Sequence, residues 1–135
     1  METLLVTSGP QRIYSLKLAP GEEAIAALNA FALSERLQDA TVAGIGALQH
    51  ADLARYNPDS KQLETIPGED EQVEVLSLIG QITPRDGVAN VHIHVVLGRH
   101  DGSTRGGHLV RAVVRPMLLL TVAESSCPLP PHHGQ

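Results

Sequence analysis

Residues 12–18, RIYSLKL, alternate polar and apolar side chains, the period of a half-buried strand, and Pro20-Gly21 ends the run. From Glu22 to Gln38 the period lengthens. Ile25, Leu28, Phe31 and Ala32 recur at three- and four-residue spacings, with Glu22 and Glu23 where a helix start favours anions, so this segment is predicted as the principal helix. Beyond Asp39, TVAGIGAL and HADLARYN read as strand, turn, strand, with Gly44 and Gly46 marking close backbone approach or a bulge. Asn57-Pro58-Asp59-Ser60 reads as a turn and Pro67 to Glu71 as a solvated acidic loop.

QVEVLSLIGQI, residues 72–82, carries apolar residues on both faces and is predicted to be a central strand. VHIHVVL (91–97), HLVRAVV (108–114) and MLLLTVA (117–123) supply the remaining strands, with Pro116 at an edge or a break because it cannot donate to a ladder. The pattern predicts an α+β domain over residues 1–124, a mostly antiparallel twisted sheet with one principal helix. Residues 125–135, SSCPLPPHHGQ with the Glu124 strand end before them, have the composition of a disordered tail.

Composition narrows the function. A chain of 135 residues suits one core, and with only Tyr14, Phe31 and Tyr56 as aromatics that core is built from Leu, Val, Ile and Ala. So few aromatic faces argue against a reader of single-stranded nucleic acid by stacking. The net charge is -5 and the ten Lys and Arg residues form no run, which argues against a phosphate-gripping surface. Cys127 is the lone cysteine, so the chain holds neither a disulfide framework nor a thiolate metal cluster, and a reducing cytoplasm is the expected setting. No apolar stretch approaches the ~18 residues of a membrane helix, and the start lacks a signal-peptide pattern.

The candidate chemistry lies in the histidines. On a strand, Val91, Ile93 and Val95 share one face and His92 and His94 the other, their backbones ~6.6 Å apart. Such a pair alone fits a surface strand as well as a metal. A third candidate, His108, follows the turn signal Asp101-Gly102. A two-residue turn there sets His108 opposite Val95, on the wrong face; a bulge, for which Gly106-Gly107 is the natural place, or a wider loop brings it round. Three neutral imidazoles with an open fourth position fit a divalent transition metal, zinc first, with nickel, iron or manganese as alternatives. No carboxylate stands at a matching spacing, unlike the cupin pattern, in which a Glu follows a similar His-x-His. His50, His132 and His133 read as surface residues, with His100 as a reserve ligand. Cys127 reads as an inert thiol. No catalytic residue is assigned; Glu74 is the one general base considered, and a structural strand carboxylate is the better reading of it.

Several ordered motifs resemble the PPC (plants-and-prokaryotes-conserved) domain family: LAPGEEAIAALNAFA, VAGIGALQHADLARYNP, EVLSLIGQI, VHIHVVL and GGHL, spread over residues 12 to about 124. The resemblance implies the PPC-domain sheet fold, a homotrimer, and in many prokaryotic stand-alone members a metal held by His92, His94 and His108. It also implies a fold similar to that of acetolactate decarboxylase, a three-histidine zinc enzyme. Plant members add an Arg-Gly-Arg AT-hook that grips DNA, and this sequence has none. The expected function is therefore a trimeric binding or regulatory module for a small-molecule ligand or protein partner. A zinc-dependent lyase or hydrolase acting on a small carbonyl or carboxylate compound is the alternative, and DNA binding comes last.

Overall fold

The computed structural model describes residues 1–7 and 9–130. Its elements run β1 (Glu2–Thr7), β2 (Ile13–Leu18), α1 (Ala24–Ser34), β3 (Ala40–Asn57), β4 (Gln62–Glu69), β5 (Val73–Arg85), β6 (Val88–Gly98) and β7 (Thr104–Glu124). Every strand pairing is antiparallel, in the order β1-β2-β7-β6-β5-β3-β4 with β3 also pairing β7. That extra pairing makes a circuit, β3-β5-β6-β7-β3, so the sheet curls until its two longest strands meet. The twisted antiparallel sheet with one helix is as expected, but the α+β label overstates a helix of 11 residues among strands of up to 21.

The inner face of the curl holds the core. Leu16, Leu18, Leu48, Leu78, Ile82, Ile93, Leu97, Leu118 and Leu120 are buried there, and α1 closes it with Leu28, Phe31 and Ala32. The helix is shorter than its periodicity predicts. Glu23 is its N-cap, the carboxylate accepting from the backbone N–H groups of Ile25, Ala26 and, across the domain, Ala112. Arg36 takes a φ of 55° and ends the helix, with the Leu37 N–H bonded back to the Ala32 carbonyl.

Three further corrections concern strands. The strand-turn-strand reading of 41–57 gives way to one continuous β3. The supposed turn is a bulge at Gln49, since Leu48 pairs with Val114 and His50 with the adjacent Val113. The two strands expected either side of Pro116 are likewise one, β7. Pro116 falls where Gly46 pairs Leu118 and Leu48 pairs Val114, outside the ladder, so its missing N–H removes no sheet bond. The acidic loop starting at Pro67 is, as far as Glu69, the end of β4, and Glu69 is buried. Its Oε1 lies 2.8 Å from Arg99 Nε and 3.7 Å from Arg105 Nε. No aligned hydrogen bond reaches that oxygen, so charge attraction holds it and ties β4 to the β6–β7 hairpin.

Of the expected tail, Ser125 to Pro130 leave β7 and stay against the domain, the N–H groups of Ser125 and Leu129 bonding to the backbone and side-chain oxygens of Asp39. Residues 131–135, with His132 and His133, lie outside the described residues.

Candidate metal centre

The hairpin between β6 and β7 decides which residues face each other. Its loop is His100-Asp101-Gly102, closed by the Arg99 N–H on the Ser103 carbonyl at 2.8 Å and the Gly102 N–H on the Arg99 carbonyl at 2.9 Å. Gly102 has a φ of 88°, the left-handed conformation that a three-residue hairpin loop needs and glycine adopts without strain. Asp101 locks the turn by accepting from the Ser103 N–H and hydroxyl, and these bonds hold its carboxyl below the usual range. The wider loop, rather than a bulge at Gly106-Gly107, shifts the register by one. His108 pairs directly with His94, and Gly107 with Val95.

Residues opposed in this way point to the same face. His94 and His108 are therefore neighbours on the outer face, and His92 joins them from two residues along β6. His92 Nε2 lies 3.0 Å from His94 Nε2 and 3.4 Å from His108 Nδ1. One nitrogen of each ring falls within 4.8 Å of the others, and no carboxylate among the described residues joins the group. Nitrogens bound tetrahedrally to zinc at 2.0–2.1 Å stand ~3.3 Å apart, so the two sides that meet at His92 have the length of edges of a zinc site. The three histidines fit a metal ion with the fourth position left to another ligand. His92 is 4 % exposed, which places the site at the floor of the outer face rather than at its edge.

Two clefts flank the triangle. One, of about 690 Å³, runs from His92 and His94 across β5 and β3 to Thr121 and Ala123 on β7. The other, of about 400 Å³, lies against His94 and His108, beside Tyr56, Leu63 and Gly106. Glu74 lines neither; it borders a separate cleft with Pro116 and Met117. It is thus no neighbour of the histidines.

The other two described histidines, His50 and His100, stand apart from the triangle. His100 sits in the hairpin loop. His50 is not the lone surface residue that its sequence surroundings suggest: its Nδ1 lies 3.0 Å from Asp70 and its Nε2 2.9 Å from Asp52. Asp52 was legible as a same-face neighbour two residues along β3, whereas Asp70 arrives through the β3–β4 pairing. The Asp70 hydrogen bond, with help from Asp52, raises the His50 pKa above its ordinary 6.5. A pKa raised on folding stabilises the protein below the unfolded value, and the gain disappears as pH rises through the folded one. In metal-free protein, His50→Gln should therefore lower the urea midpoint at pH 5.5 and leave it nearly unchanged at pH 9. An equal deficit at both pH values would assign His50 a packing role instead.

Comparison with known proteins gives this site its setting. The family model of the Plants and Prokaryotes Conserved (PCC) domain, also written PPC, matches residues 6–126. The chain belongs to the PCC domain family. Among PCC relatives of known structure, a plant- and prokaryote-conserved protein from Pyrococcus horikoshii superposes with a TM-score of 0.81 at 27 % identity, covering 98 % of this chain and 91 % of that one. A protein from Archaeoglobus fulgidus described as metal-containing superposes at 0.80 with 28 % identity, covering 96 % and 86 %. A Bacteroides thetaiotaomicron protein, provisionally named DNA-binding, superposes at 0.80 with 28 % identity, covering 93 % and 86 %. Two Synechococcus proteins named bifunctional protein GlmU are 34 % identical over 119 and 118 residues, which is 87 % and 86 % of this chain. The chain spans only 17 % and 16 % of their lengths. No helix among the described residues is long and apolar enough to cross a membrane.

Proposed function

We propose that this chain is a metal-carrying binding module in which residues 1–124 form one domain and His92, His94 and His108 hold one divalent transition metal, zinc first. The single observation that carries the reading is the nitrogen triangle, whose 3.0 and 3.4 Å sides suit one ion and whose surroundings leave a coordination position to a ligand. The Archaeoglobus relative described as metal-containing supports it. A bound ion would supply positive charge and Lewis acidity at that position. The chain's own part is to fix three imidazoles through the β6–β7 register and to keep the adjoining clefts free of competing acidic side chains. A cytoplasmic setting goes with this reading, resting on the absence of any cysteine besides Cys127.

We propose further that the module is a homotrimer joined through its outer face. Ile45 pairs directly with Leu119, and with Leu76 they border a shallow cleft that shares no residue with the cleft beside His92 and His94, while remaining 59, 41 and 49 % exposed. Contiguous apolar surface of this kind on a small domain marks an interface. Leu76→Glu with Leu119→Glu should convert a trimer into folded monomers in sedimentation equilibrium at micromolar concentration. A wild-type monomer under those conditions would overturn the assembly.

The enzyme reading draws on one observation, the large cleft open to the triangle. Metal-dependent turnover of small esters or carbonyl compounds, lost in His94→Ala, would replace the binding module by a hydrolase or lyase. DNA binding, suggested by the name of the Bacteroides relative, is the weakest reading for a chain of net charge -5 without an AT-hook.

A further inference from the structure

The cleft beside His92 and His94 is built from two rows of residues crossing the outer face. Ile79 pairs with His94, Ala43 with Ile79 and Thr121 with Ala43, so one row runs His94-Ile79-Ala43-Thr121. Gln81 pairs with His92 and Thr41 with Gln81, giving a second row, His92-Gln81-Thr41. At ~4.8 Å per strand the first row carries the floor ~14 Å away from the histidines. The first row is apolar at Ile79 and Ala43, and polar groups return only at Thr121 and along the second row. No Lys, Arg, Asp or Glu is among the described residues lining this cleft.

Charge selects the occupant. A divalent ion on three neutral imidazoles keeps both its charges, and no carboxylate of the described chain stands with the histidines to neutralise them. An anionic ligand supplies balancing charge that the chain does not. A carboxylate head group neutralises one of the two charges, and solvent hydroxide or a solution anion the other. Farther along, the cleft offers no cation, which disfavours ligands such as nucleotides and long dicarboxylates whose further charge would lie away from the metal. It does offer apolar floor.

Resting on the metal reading above, we propose that this cleft binds a monocarboxylate with an apolar body. The carboxylate faces the three-histidine site, and the hydrocarbon lies over Ile79 and Ala43 toward Thr121.

The test uses the whole chain loaded with cobalt(II), whose visible absorption responds to a change of ligand, titrated with acetate, hexanoate and hexan-1-ol. A fully buried methylene is worth roughly fourfold in affinity. In a cleft open on one side, hexanoate should therefore bind at least about tenfold tighter than acetate, and hexan-1-ol should leave the spectrum unchanged. Ala43 is exposed and its side chain points outward, so Ala43→Phe fills the cleft without entering the core. It should bring hexanoate down to the acetate level while leaving acetate affinity and cobalt stoichiometry as in the wild type. Thr121→Phe, at the far end of the same row, serves should Ala43→Phe fail to fold. Equal affinities for acetate and hexanoate in the wild type, or a hexanoate advantage that survives both variants, would overturn this proposal and leave the metal site standing. A chain that takes up no cobalt would remove the metal reading and this proposal together.

Discussion

Replacing His92 by alanine is expected to weaken zinc binding by well over a hundredfold while the domain stays folded. His92 is the hinge of the triangle, its Nε2 lying 3.0 Å from His94 and 3.4 Å from His108. Loss of a residue that merely orients a ligand costs 10–100-fold in metal affinity, so loss of one of three ligands should exceed the upper end of that range. The ring lies on the outer face, away from the core leucines, and its removal opens space beside the cleft rather than within the core. Competition against a chromophoric chelator would measure the affinity, and far-ultraviolet circular dichroism would verify the fold. An affinity within tenfold of wild type would mean that His94 and His108 suffice, or that the ion sits elsewhere.

The second large effect is expected at a residue without a side chain. A Cβ on Gly80 would lie 2.2 Å from the His92 carbonyl oxygen and 2.5 Å from Ile93 Cδ1. The carbonyl is backbone and cannot swing aside, so Gly80→Ala must separate β5 from β6. Overpacking commonly costs 1–3 kcal/mol, and a clash with fixed backbone belongs at or above the upper end, about 3 kcal/mol. Because the displaced carbonyl is that of His92, metal affinity should fall together with stability. Gly98→Ala is the natural control: its nearest contacts are side-chain atoms of Leu76, starting at 3.0 Å, which can rotate. Urea denaturation should show a loss of under about 1 kcal/mol there. Equal losses at the two glycines would mean that the β5–β6 contact is softer than its geometry implies.

How far the sequence disclosed the site follows from the range of the interactions involved. The shared face of His92 and His94 was legible because strand alternation is a local property. The arrival of His108 on that face was legible only as a condition, a bulge or a wider loop. The choice fell to His100-Asp101-Gly102, where the glycine sits third in the loop rather than second in a two-residue turn. The position of α1 was legible from its spacing, but its ends were not. Glu23 acts as N-cap while also bonding Ala112, 89 residues away, and the left-handed Arg36 has no sequence signature. β1 and β4 were missed because edge strands carry weak alternation, and Pro67-Gly68 mimics a loop. Gln49 and Pro116 looked like breaks because a bulge inside a long strand has the same local composition as a turn between two short ones. The partners of His50 and the burial of Glu69 depend on strands meeting, which no single segment reveals.

The central claim is that three histidines from β6 and β7 make one metal site. Elemental analysis of the untagged full-length chain, after incubation with zinc at neutral pH and removal of loose ions, tests it most directly. Neutral imidazoles are the binding form, so this pH gives the site its fair trial. Close to one zinc per chain is expected in the wild type and almost none in His92→Ala or His108→Ala. A folded wild-type chain that emerges without zinc, or variants that retain it in full, would contradict the metal site and leave the three histidines, His92 buried among them, as structural residues of β6 and β7.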